Sequence, residues 1–210
     1  DSFDAVGLRR KHVAFFLNLA QRGERQLGGA EQAAWLDRLD TDHDNFRAAL
    51  EWSESDPDGR EDCLRLAKAL GRFWEIRGYL TEGRSLMEKA LAIAPIELED
   101  LRMRALNQLG NILRVSGEFG PAHQAFNESH ALTLKLGFKQ GEAIVLNNLG
   151  ICAMNLGKYD ESREFYERSI EICREGGFTV DLARALDNYA GLLSLTGQRD
   201  RARELQREAL

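Results

Sequence analysis

Ala143-Ile-Val-Leu-Asn-Asn-Leu-Gly-Ile-Cys-Ala-Met-Asn-Leu-Gly157 is the stretch on which the fold turns. Ala143, Leu146, Leu149, Gly150 and Ala153 fall at spacings that place them on one stripe of a helix. Gly157 closes that helix, because glycine accepts a left-handed backbone at no steric cost. The pattern returns every 40 residues: Leu109-Gly110, Leu149-Gly150 and Tyr189-Ala190, then Gly117, Gly157 and Gly197. Ala122, Ser162 and Ala202 keep the same interval, as do Gly137-Phe138 and Gly177-Phe178. A fixed period in this range signals a solenoid, in which each unit buries its apolar face against its neighbours.

Numbering four units from Leu64, Met103, Ala143 and Ala183 lines up both helices of each. In the first helix, position 4 holds Ala67, Leu106, Leu146 and Leu186, and position 7 holds Leu70, Leu109, Leu149 and Tyr189. Position 8 holds Gly71, Gly110, Gly150 and Ala190, and position 11 holds Trp74, Leu113, Ala153 and Leu193. After the glycine at position 15, a second helix carries Leu80, Phe119 and Tyr159, then Gly83, Ala122, Ser162 and Ala202. Met87, Phe126 and Tyr166 follow at position 24, and Ala90, Ser129, Ser169 and Ala209 at position 27. Small residues at 8, 20 and 27 admit close helix approach, and large ones between them fill the gaps. In the last unit Arg199 and Gln206 stand where earlier units are apolar, the pattern of an end cap or of a unit that leans on a further one.

This pattern resembles the tetratricopeptide repeat, a helix–turn–helix unit, over residues 64–210. The resemblance implies an all-α right-handed superhelix with repeats at 64–102, 103–142, 143–182 and 183–210. Pro95 falls at the family's position 32. The family's usual unit is ~34 residues, so the second helices here are expected to be longer by a turn or more, reaching Gly137 and Gly176.

Composition bounds the function. Acidic residues outnumber basic ones, 34 to 28, for a net charge of −6. That argues against direct nucleic-acid binding, which needs a basic face. No apolar run is long enough to cross a bilayer, and no basic-then-apolar signal segment occurs. The chain starts at Asp1 and stops at Leu210 inside an amphipathic pattern, which reads as a fragment of a longer cytoplasmic protein. Cys63, Cys152 and Cys173 lack metal spacing and read as reduced, half-buried thiols. His12, His43, His123 and His130 form no ligand set; His123 and His130 lie two turns apart, too far for one metal. Glu164–Arg168 and Arg163–Glu167 read as i,i+4 pairs on a solvated face. No nucleophile has a nearby base, so no catalytic residue, metal or cofactor is assigned.

Residues 1–60 read as a helical adapter packed on the first repeat. Val13, Phe16, Leu19 and Ala20 form one stripe, interrupted by Gly28-Gly29. A second helix from near Ala30 carries Trp35, Leu36 and Leu39. Thr41 with Asp44 reads as a capping start for a third, which carries Phe46, Ala49 and Leu50. Ser53 to Arg60 reads as a loop. Trp35, Trp52 and Trp74 read as packing residues at the junction.

His12-Val-Ala-Phe-Phe-Leu-Asn-Leu-Ala20, Trp35-Leu-Asp-Arg-Leu39, Asp44-Asn-Phe-Arg-Ala-Ala-Leu-Glu-Trp52 and Arg72-Phe-Trp-Glu-Ile-Arg-Gly-Tyr-Leu80 together resemble one known segment. It is the helical region that follows the nucleotide-binding (NB-ARC type) and winged-helix modules of bacterial signal-transduction ATPases, many of them transcription regulators. That resemblance implies a sensor arm that holds the ATPase closed until an inducer or partner binds. No Gly-rich phosphate loop or DNA-reading helix is present in this chain.

In tetratricopeptide solenoids, first-helix positions 2, 5, 6, 9, 12 and 13 face a concave groove. The resemblance therefore assigns partner binding to Arg65, Lys68, Arg72, Arg104, Asn107, Asn111, Arg114, Asn147, Asn155 and Asp187. Asparagines at position 5 would hydrogen-bond an extended peptide backbone, and the basic residues would attract acidic groups. Asn111, Asn148 and Asn188 serve equally well as bridges between adjacent helices. The expectation is a non-catalytic module binding a peptide or protein in the groove. The alternative is an assembly scaffold that forms weak homodimers through its terminal repeat.

Overall fold

The structure, a computed structural model, describes residues 2–209. Asp1 and Leu210, which bound the first and last expected segments, lie outside the described residues. Those residues form eleven α-helices and one 3-10 turn, with no strand among them. No described helix is long and apolar enough to cross a membrane. The helices fall into two compact units, Asp1–Ser116 and Gly117–Leu210.

The first unit holds α1 (Ser2–Gln26), α2 (Gln32–Thr41), α3 (His43–Ser55), α4 (Arg60–Arg77), α5 (Leu80–Ile93) and α6 (Glu99–Val115). Helix α4 is its axis. Leu64, Ala67, Leu70 and Trp74, the predicted stripe, are all buried. Helices α1 and α6 flank α4, α5 pairs with it as the second helix of a hairpin, and α3 packs on α1 and α4. The adapter thus reproduces the repeat's contacts without its sequence period: α1 lies along α4 as α4 lies along α6. Phe16 meets Phe46 edge-on at 5.5 Å to join α1 and α3.

Two local expectations are corrected here. Thr41 is the last residue of α2 and donates its hydroxyl to Asp37 O at 2.9 Å, so it caps nothing. Asp42 alone separates α2 from α3, with near-helical torsions that leave no side-chain cap, and Asp44 pairs with Arg47. The expected loop from Ser53 to Arg60 is mostly helical. Helix α3 runs to Ser55, a 3-10 turn covers Pro57–Gly59, and α4 begins at Arg60. Arg10 fastens that turn through Asp56 and Asp58 at 3.1 and 2.7 Å.

The second unit holds α7 (Phe119–Leu136), α8 (Lys139–Asn155), α9 (Tyr159–Gly176), α10 (Thr179–Leu195) and α11 (Arg199–Glu208). The predicted lengthening of the second helices is present in α7 and α9, 18 residues each. Gly157 and Gly197 take φ of +75° and +86°, and Lys158 N and Gln198 N then reach back to Ala153 O and Leu193 O. These are the six-to-one bonds of a glycine-terminated helix. Helices α8 and α9 meet over the small positions. Ser162 and Ser169 donate across the interface to Gly150 O and Ala143 O, both at 2.8 Å, so each buried hydroxyl is satisfied by the facing backbone.

A core of Tyr166, Ile170, Leu186, Tyr189 and Leu193 continues beneath α11. Arg199 and Gln206 are exposed as their polarity requires, and Leu205 packs on the core in their place. The cysteines are fully buried and not half-buried, each in a helix's apolar face, and none forms a disulfide. The expected i,i+4 pairs on α9 are replaced by i,i+3 pairs, Arg163–Asp160 and Arg168–Glu171. Glu167 instead accepts from the Tyr189 hydroxyl at 2.5 Å.

Candidate binding faces

Each unit presents its first helices, α4 and α6 in one and α8 and α10 in the other, with the assigned residues on them. In the first unit the basic side chains arrive already matched. Arg65 lies 2.5 Å from Glu61 and 3.7 Å from Asp62. Arg104 is 3.0 Å from Asp100, and Lys68 reaches Glu24 of α1 at 2.7 Å. The expected basic end of a groove is therefore largely neutralised. Glu24 was beyond sequence reasoning, because α1 lies outside the repeat register.

Glu75 organises what remains. Its side chain is only 11% exposed, and Arg72 binds it at 2.9 Å from one turn earlier on α4. From α6, Gln108 donates to it at 3.5 Å and Arg114 stands 4.0 Å away. One carboxylate thus faces two guanidiniums and an amide. The Arg114 Nε is buried with no hydrogen-bond acceptor. Asn107 and Asn111 are half-buried on the same helix.

In the second unit Asn147 is buried and accepts from Asn188 Nδ2 at 2.9 Å. The amide expected to meet a guest backbone at Asn147 is instead consumed in bridging α8 to α10, because two amides one repeat apart satisfy each other when the helices pack. Asn155 is exposed and donates to Ile151 O at 2.8 Å, capping its own helix. Asp187 is exposed on α10.

A cleft of about 430 Å³ opens between α9 and α11 over Tyr189, Ile170 and Leu205. Burial, and then the Glu167 carboxylate, push the Tyr189 hydroxyl up to about 12, so it stays a neutral donor at any physiological pH. Among the described residues no group of three or more His, Cys, Asp or Glu is placed to hold a metal ion.

The tetratricopeptide repeat family matches residues 141–210. A search of curated proteins finds no significant match. Among solved structures, BtubC (BKLC) from P. vanneervenii is similar at 20% identity and a TM-score of 0.69, over 96% of this chain and 89% of that one. The pilF protein of Pseudomonas aeruginosa is similar at 20% identity and 0.65, over 96% and 78%. TPR-like repeats of a putative kinesin light chain from Podosopora anserina are similar at 19% identity and 0.62, over 89% and 93%. Residues 141–210 thus match the tetratricopeptide repeat, and the chain has the all-α helical-hairpin fold of the tetratricopeptide solenoids it is similar to.

Proposed function

We propose that this chain is a non-catalytic module that binds an extended peptide or protein segment along its first-helix faces, as the sensor or regulatory arm of a multidomain bacterial transcription regulator or signalling ATPase. The resemblance of residues 12–80 to the segment that follows the nucleotide-binding modules of such regulators supports the regulatory context. Arg114 carries the binding reading. Its buried Nε has no acceptor, beside a carboxylate already held by Arg72. That nitrogen is closed to solvent, but the guanidinium side chain is 26% exposed and stands 4.0 Å from a carboxylate that Arg72 already holds, so its accessible N–H groups can meet a guest carbonyl or carboxylate oxygen. Asn111 and Asn107 extend the polar strip along α6, and Arg72 supplies a second exposed donor. Binding shifts a regulatory equilibrium only through unequal affinity for its two states.

The test is a random peptide library selected on the 210-residue chain and counter-screened on Arg114→Met. Selected peptides should bind the variant at least ~10-fold more weakly, with its helical content by circular dichroism unchanged. Peptides that bind wild type and R114M equally would sink the assignment. The exposed stripe of α10, which ends in Val180 and Leu195, favours a second reading as a scaffold that self-associates through its terminal repeat. A concentration-dependent sedimentation coefficient, abolished by removing α10 and α11, would select that reading.

A further inference from the structure

Helix α1 has two dissimilar sides. Val13, Phe16, Ala20 and Leu27 are buried against the unit. On the opposite side, Leu8, Lys11, Phe15, Asn18, Arg22 and Arg25 form a continuous exposed stripe at alternating steps of three and four. Leu8 is 70% exposed and Phe15 59%, two turns apart on one stripe. Single exposed apolar residues are ordinary, but two on one stripe beside apolar clefts mark an interaction surface.

One flank of this ridge, the side of His12 and Leu19, is hollow at two levels. A cleft of about 580 Å³ lies between α1 and α3, walled by Leu8, His12, Ala48 and Trp52. A second of about 330 Å³ lies between α1 and α2, walled by Leu19, Ala34 and Trp35. The Arg22 guanidinium stacks over Trp35 at 5.5 Å, which leaves a cation beside an apolar wall. Half-buried indoles beside a ridge are the composition of interface centres, where a rigid aromatic surface supplies area at small entropic cost.

Charge narrows the partner. Over residues 2–26, Arg9, Arg10, Lys11, Arg22 and Arg25 stand against Asp4 and Glu24, a local +3 on a chain whose net charge is −6. Arg10 is tied to Asp56 and Asp58 and Glu24 to Lys68, so the charge on the outward stripe is that of Lys11, Arg22 and Arg25. The shape narrows it further. Helix α1 already lies along α4, and a helix laid on its free side repeats that geometry. Leu8 to Arg22 spans ~21 Å, about four turns of a partner helix. A bilayer surface suits the site less well, because most of its apolar wall is recessed in clefts beside half-buried indoles and only Leu8 and Phe15 stand exposed on the ridge.

We infer that the outward face of α1, with the two tryptophan-walled clefts along one flank, is a docking site for an acidic amphipathic helix of a partner protein. The partner's apolar residues enter the two clefts beside Phe15, and its carboxylates meet Arg9, Lys11 and Arg25. This site is separate from the α4 and α6 face and takes a helical ligand, where that face takes an extended one.

The test uses the 210-residue chain and a labelled synthetic helix of ~18 residues, with leucines at i, i+4, i+7 and i+11 and glutamates on its flanks. Its controls are a lysine-for-glutamate twin and vesicles of equal parts phosphatidylcholine and phosphatidylserine. The acidic helix should bind at least ~10-fold more tightly than its twin, with a change in tryptophan emission. Phe15→Ala should weaken it by a similar factor, and the Arg9→Glu, Lys11→Glu pair should reverse the preference between the twins. Helicity and melting temperature should hold in each, since the altered side chains are exposed. Equal binding of the twins, indifference to F15A, vesicle binding in preference to the acidic helix, or a dimer that F15A dissolves would each overturn the inference.

Discussion

Replacing Gly150 by alanine adds one methyl group at the tightest contact between α8 and α9. A Cβ there would lie 2.7, 2.8 and 2.9 Å from three ring carbons of Tyr166, all inside the closest approach that real side chains show. The ring has nowhere to retreat. It is fully buried, stacks at 5.9 Å on Tyr189, and sits in the core shared by α9, α10 and α11. Overpacking a rigid core costs about 1–3 kcal/mol, and a buried tyrosine against backbone belongs at the upper end. Alanine recovers about 1 kcal/mol through helix propensity, so Gly150→Ala should destabilise by about 2 kcal/mol. The equivalent Ala190 shows why the last unit tolerates the methyl: position 24 there is Gln206, which is exposed and fills no space beneath it. Gly191 is the internal control, since it is helical and its Cβ would meet nothing within 4 Å. Gly191→Ala should therefore stabilise by about 0.5–1 kcal/mol. Urea denaturation followed by circular dichroism measures both against wild type. A Gly150→Ala protein as stable as wild type would refute the argument that Tyr166 dictates glycine at position 8.

The remaining predictions concern caps, charge and thiols. Gly157→Ala, at φ +75° with open space around it, should cost about 1–2 kcal/mol from backbone strain alone, read in the same denaturation. The Arg47 guanidinium, bonded at 2.5 Å, holds the Glu82 carboxyl below its usual range, with His43 at 3.0 Å adding to the effect. A depressed folded value means stability that is present above the unfolded carboxylate pKa of ~4.3 and lost as pH falls through the folded value. Melting temperatures of wild type should therefore drop on acidification below about pH 4.5 more steeply than those of Glu82→Gln; parallel curves would contradict this. Burial pushes the Cys63 and Cys173 thiols up, so a disulfide reagent at pH 8 should modify them only on unfolding. Rapid labelling of either in the native protein would be inconsistent with their burial.

The hairpins were legible because their determinants are local and repeat. Glycines at position 15 end the first helices by a torsional requirement, and small residues at positions 8, 20 and 27 mark where backbones touch. The first sixty residues were harder. Thr41 and Asp44 satisfy the spacing of a cap, yet the chain passes from α2 to α3 through Asp42 alone and never opens the gap a cap would fill. The binding faces were legible as positions and not as chemistry. Arg65 and Arg104 read as free charges in a linear sequence, and their own helices supply the acids that neutralise them.

The sequence alone determined that this chain is a run of helical hairpins, because a 40-residue period of small, large and glycine positions specifies contacts between neighbours in the chain. Only the tertiary structure decided which polar groups are spent internally. Lys68 finds Glu24, Asn188 finds Asn147, and Arg114 is left with an unsatisfied nitrogen beside Glu75. Those pairings join residues about 40 positions apart, at distances set by how each helix rotates against the next, and no periodicity of apolar residues encodes that rotation finely enough to choose hydrogen-bond partners.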